Sequence, residues 1–232
     1  MKTVIPTVMK LAAPLALAGL LGACASGPMP LDWQVEAKGS MERSIAAYME
    51  GNSRVEVAEL ARARSQLSRT GRADLLATAE LLHCATRVAS LAFEPCAGFE
   101  SLKSDAAPAQ RAYADYLRGQ VQAQEIALLP PTQRAAAAGD ATALKGIDDP
   151  LSRLVAAGVL LQTGKAGPSV ITQAIDTASS QGWRRPLLAW LGVQAQRAEQ
   201  GGDMQEAARL RRRMALAQGS ALTANQPENE KK

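Results

Sequence analysis

Histidine occurs once and cysteine three times in these 232 residues, and only 3% of the chain is aromatic. With so few imidazoles and thiols there is little from which to build a multi-ligand metal site, and no cofactor is expected. Aromatic and β-branched residues, which strands favour, are too scarce for an all-β sandwich or barrel. Charge of one sign is lacking too, with 26 basic residues against 22 acidic ones. What is abundant is alanine and leucine, 46 and 28 residues, the two that head the helix-propensity scale. Repeated apolar spacing argues against wholesale disorder, and the length suits one or two domains with a real core.

The first residues read as an export signal. Lys2 and Lys10 form a basic start, and residues 11–20 an apolar run too short to span a bilayer comfortably. Leu21-Gly22-Ala23-Cys24 follows, and it resembles the lipobox of bacterial lipoproteins. That resemblance implies removal of residues 1–23, diacylation of the Cys24 thiol and acylation (palmitate or a similar chain) of the new amine. Two or three acyl chains anchor a protein stably where one does not. Ala25 and Ser26, rather than an Asp, follow the cysteine. In this family that implies the outer membrane, facing the periplasm.

Removing Lys2 and Lys10 leaves 24 basic against 22 acidic side chains, a balance of +2. Neither that balance nor the implied compartment favours a nucleic-acid partner. Cys84 and Cys96 remain, twelve positions apart. In an oxidising periplasm an even pair is most simply a disulfide, worth about 3 kcal/mol by loop-closure entropy; two buried free thiols are the alternative.

Residues 24–37 read as a lipidated tether with Pro and Gly, 38–218 as a helical domain, and 219–232 as a polar tail. Helical periodicity starts near residue 39 and ends at Gly51-Asn52, with Ser53 expected to cap a second helix that stops at Gly71. A third helix is expected near 72–92, an irregular stretch over 93–108, and a fourth helix near 109–128. Shorter ones near 132–138 and 141–147 precede four more at 151–163, 168–181, 186–200 and 204–217. Short connections make these antiparallel helix hairpins.

The best internal pattern is Leu191-X-X-Gln-Ala195-X-X-Ala198, then Gly202-Asp203 and Ala207-Ala208. Over 188–216 it resembles a tetratricopeptide repeat, in which small residues such as Ala195 and Ala207 let two helices approach closely. Arg211 departs, standing where that family has a large apolar residue, and Trp190 is offset by one. A weaker copy runs from Leu154 through Gly164-Lys165 to Ala178. The expected fold is therefore all-α: helix hairpins stacked as a tetratricopeptide-like superhelix with one disulfide. In that family first helices line a concave groove, which implies Leu161 and Gln162 in one unit and Gln196, Glu199 and Gln200 in the next.

Catalytic motifs are absent: no G-X-S-X-G, no phosphate-cradling glycine loop, no H-E-X-X-H. His83 beside Cys84 points about 100° away from it on a helix, so a packing or surface role is expected. Glu56, Glu59, Glu94 and Glu100 are read as solvated helix-face carboxylates. Arg209, Arg212 and Arg213 form the densest basic patch, suited to solvent, anionic headgroups or an acidic partner. These readings lead to a non-catalytic periplasm-facing lipoprotein whose helical domain binds an envelope protein and scaffolds or assists assembly of a complex. A cell-wall enzyme with an unrecognised active site is the alternative.

Overall fold

The computed structural model describes residues 31–219. The signal segment, Cys24, the tether up to residue 30 and the tail from residue 220 lie outside the described residues. Within them the chain is all helical, with ten α-helices and two 3-10 helices. None of these helices is long and apolar enough to cross a membrane.

Helix α1 (Asp32–Glu50) pairs with α2 (Ser53–Ser68) as a hairpin. The tether reading is corrected here: residues 32–37 are the first turns of α1. Asp32 sits in the first turn, where the helix dipole favours it, and the Leu31 N–H donates to Gln34 Oε1 at 3.1 Å. The cap of α2 is Asn52 rather than Ser53; its side chain accepts from the Val55 N–H at 3.3 Å.

Helix α3 (Ala73–Ala89) ends before residue 92 because Leu91 takes a left-handed φ of 62°. The Ala92 N–H then reaches back to the Arg87 carbonyl at 2.9 Å, a helix-ending bond more often made possible by glycine. A loop with the single-turn α4 (Ala97–Glu100) follows, tied to α3 by the Cys84–Cys96 disulfide with its Cα atoms 5.8 Å apart. The expected helix over 109–128 is two elements. Helix α5 (Pro108–Leu117) stops where Gly119 turns left-handed at φ 69°, and residues Ala123–Leu128 form a 3-10 helix.

After α6 (Pro131–Ala137) and a 3-10 turn over Ala141–Gly146 comes α7 (Pro150–Gln162). Residues 154–160 of α7 are all buried. A helix apolar on every side belongs in the middle of a fold, and α7 packs against α3, α5, α6 and α8. Gly158 permits the closest approach: a Cβ there would lie 2.4 Å from the Val88 carbonyl oxygen of α3.

Helix α8 (Pro168–Ser180) packs against both α7 and α9 (Arg184–Gln200), and α9 forms a hairpin with α10 (Met204–Ala217). The turn follows the sequence reading. Gly202 has a φ of 78°, and Asp203 accepts from the Glu206 N–H at 2.9 Å. Ala195 and Ala207 are both buried. The chain also closes on itself, because α9 returns to α1 and, through Trp190, to the end of α3. The indole N–H of fully buried Trp190 donates to the Ala89 carbonyl at 3.1 Å, and Arg185 donates to Ser53 Oγ at 2.9 Å.

Candidate binding surfaces

The first surface is a groove between α1 and α3, backed by α2. Met41 and Ala79 pack with Leu60 and Ala63 of α2 into a small apolar cluster separate from the main core. Above this floor α1 and α3 stand apart and leave a cavity of about 550 Å³, within the roughly 300–1,000 Å³ range of small-molecule sites. Trp33, Ala37 and Ile45 form one wall and Leu75 and Leu82 the other, with Leu67 closing the back. Polar groups sit at the rim: Gln34, Lys38, Glu42, Arg72 and Thr78. A second cavity of about 460 Å³ shares Thr78 and Leu82 and continues toward Tyr113, Leu128 and Leu129. The Tyr113 hydroxyl is held neutral, its pKa pushed well up by burial and by the nearby Asp149 charge.

Behind the groove, α2 is joined to its neighbours largely through ion pairs. Glu56, Glu59 and Glu80 are all buried. The Glu56 carboxylate accepts from Arg87 at 2.7 Å and lies 3.2 Å from His83 Nε2. Glu59 takes Arg43 at 2.9 Å and Arg62 at 2.7 Å, and Arg64 grips Glu80 with two nitrogens, one at 2.6 Å. The expectation of solvated carboxylates is therefore corrected for Glu56 and Glu59, which are buried and paired with arginines from three helices, Arg43 and Arg62 reaching in from the surface and Arg87 half-buried. Glu94 is exposed, and Glu100 is exposed with Arg118 at 3.1 Å.

Burial would raise the Glu59 carboxyl, but the hydrogen bond and charge of Arg43, with Arg62, hold it below its ordinary value. His83 is pushed down by burial and by the Arg87 charge, against the opposing pull of Glu56. It is neutral at pH 7 and belongs to the packing of α2 on α3. Among the described residues no group of three or more His, Cys, Asp or Glu could hold a metal.

The second surface is the α9–α10 hairpin. Residues 184–217 carry seven basic side chains against three acidic ones, whereas residues 31–183 carry fifteen against seventeen. The hairpin is thus a basic pole on a domain otherwise slightly acidic. Helix α10 packs chiefly on α9 through Ala207 and Leu210. Its opposite face, reading Gln205, Arg209, Arg212 and Leu216 at helical spacing, is exposed. Met204 and Leu216 are 61% and 63% exposed.

The residues singled out in the sequence divide between these places. Arg209 is held by Glu206 through two bonds of 2.6 Å, which keep the Glu206 carboxyl below its usual range. Arg212 projects to solvent, while Arg213 leans toward α8 with Ser179 Oγ at 3.3 Å. Gln196 and Gln200 are exposed, and Glu199 pairs with Arg211 at 2.5 Å across the hairpin. That pair explains the charged residue where the repeat pattern has an apolar one. Leu161 packs on the main core, and Gln162 lies against Gly119. The apolar groove of α1 and α3 was not anticipated, since it is made by two helices whose own stripes look like ordinary core faces.

The chain matches no protein-family model, no curated protein and no solved structure.

Proposed function

We propose that this chain is a non-catalytic lipoprotein of the outer membrane, facing the periplasm, that scaffolds or assists assembly of an envelope complex. Cys24 is the acylated anchor, and the helical domain binds an acidic protein partner through the α9–α10 hairpin. The observation that carries the partner is the charge partition, seven basic against three acidic residues on a hairpin whose outer face is exposed. Exposed Leu216, one turn from Arg212, gives that face the apolar anchor that charge steering alone does not supply. We read α9–α10 as a tetratricopeptide-like unit, supported by the buried Ala195 and Ala207 and the Gly202-Asp203 turn, with α7–α8 as a weaker copy. The Cys84–Cys96 disulfide is chemistry of an oxidising compartment and supports export.

Affinity capture from detergent-solubilised membranes tests this, run in parallel with the wild-type chain and Arg209→Glu/Arg212→Glu. The expected result is one acidic protein retained stoichiometrically by the wild type, released as salt rises, and lost with the variant. Equal retention by both chains contradicts the assignment of the surface. Cell-wall turnover by the pure protein would replace the scaffold with the enzyme alternative.

A further inference from the structure

We propose that the groove between α1 and α3 receives one acyl chain of a bilayer phospholipid, with the headgroup on its rim. The inference rests on Cys24 being the membrane anchor and extends that reading to a second, non-covalent lipid contact. Three observations carry it.

The first is reach. Six residues lie between Cys24 and Leu31, and the seven steps between them span at most about 25 Å when fully extended. Trp33 and Gln34, in the first turn of α1, already line the groove. An anchored cysteine therefore keeps the groove's own first turn within that distance of the bilayer surface. A cytosolic or freely diffusing ligand gains nothing from such proximity, whereas a membrane lipid does.

The second is the lining. Floor and walls are apolar side chains throughout, and the polar groups are confined to the opening. An acyl chain needs this arrangement, because it offers no hydrogen bonds and leaves any buried polar group unsatisfied. The volume of about 550 Å³ belongs to a small apolar molecule rather than to the broad face that a folded protein domain would cover.

The third is the rim charge. Lys38 and Glu42 stand one helical turn apart, 3.8 Å between charged atoms and both largely exposed, and on the opposite side Arg72 is paired with Asp74 at 2.6 Å. A cation and a carboxylate at one opening complement a headgroup that carries a phosphate and an amine. Lys38 would face the phosphate and Glu42 the amine, since their own pairing is long and exposed.

Photocrosslinking in native membranes tests the proposal on the full chain. Benzoylphenylalanine is incorporated in place of Leu75 in one sample, Ile45 in a second and Val57, exposed on α2 outside the groove, in a third. Using both walls keeps the test decisive if one substituted chain fails to fold. The expected result is a tryptic peptide carrying the mass of a phospholipid from the Leu75 and Ile45 samples, and its loss in the Val57 sample. Adducts to a polypeptide, no adducts, or equal lipid adducts at Val57 overturn it. Acyl labelling of the same preparations separates the two claims. Labelled Cys24 without a groove adduct removes only the groove lipid. Unlabelled Cys24 without an adduct removes the anchor and the groove lipid together.

Discussion

At the scale of the residue, the buried charges decide what holds α2 in place. The Glu56 carboxylate is 2% exposed, and its two partners come from α3, Arg87 and His83. Removing one partner of a buried pair leaves an uncompensated charge, which costs more than the pair contributes. Arg87→Met should therefore destabilise the fold by about 2–3 kcal/mol, read as a lower urea midpoint; an unchanged midpoint would show that Glu56 is satisfied without it. His83 adds a pH dependence. Its pKa in the fold lies below the unfolded value near 6.5, owing to burial and Arg87, with Glu56 and Glu80 pulling the other way. Between those values the unfolded chain binds more protons, so stability falls as pH drops below about 6.5. His83→Gln should flatten that part of the profile, and a profile that keeps its slope would assign it to other groups.

At the scale of the element, α7 sets the geometry. Its run Leu154 to Leu160 is buried on all sides, and Gly158 brings its backbone against the Val88 carbonyl of α3. Gly158→Ala raises helix propensity locally yet should destabilise the protein by about 2 kcal/mol, because the new Cβ has no room. A thermal melt distinguishes the two effects, and a higher melting temperature would mean that α3 and α7 are free to separate. Helix ends were legible where glycine and a capping side chain coincide, as at Gly202-Asp203 and Gly51-Asn52. The break at Gly119 was in the sequence but hidden by apolar residues on either side, Leu117 and Val121, that continue a helical rhythm. Leu91 gave no signal, since a leucine in the left-handed region is a consequence of packing against the core. Pro28 and Pro30 made residues 31–37 look extended, although proline just ahead of a helix is compatible with its first turn.

At the scale of the whole molecule, the candidate sites were only partly readable. The basic patch was visible as a run of arginines, but its division into Arg209 held by Glu206, Arg212 free to solvent and Arg213 turned to Ser179 needed the packing. The groove of α1 and α3 could not be seen in one dimension, because nothing in either helix says how far apart the two will stand. The return of α9 to α3 through Trp190 and to the start of α2 through Arg185 likewise joins residues about a hundred or more positions apart. The proposed export and membrane anchor would account together for the basic hairpin, the apolar groove near the start of α1 and the disulfide. The most direct measurement is the mass of the amino-terminal peptide from membrane-extracted protein. The account predicts a chain beginning at Cys24 and carrying acyl chains on its thiol and amine. An amino terminus upstream of residue 24, or an unmodified Cys24, would contradict it.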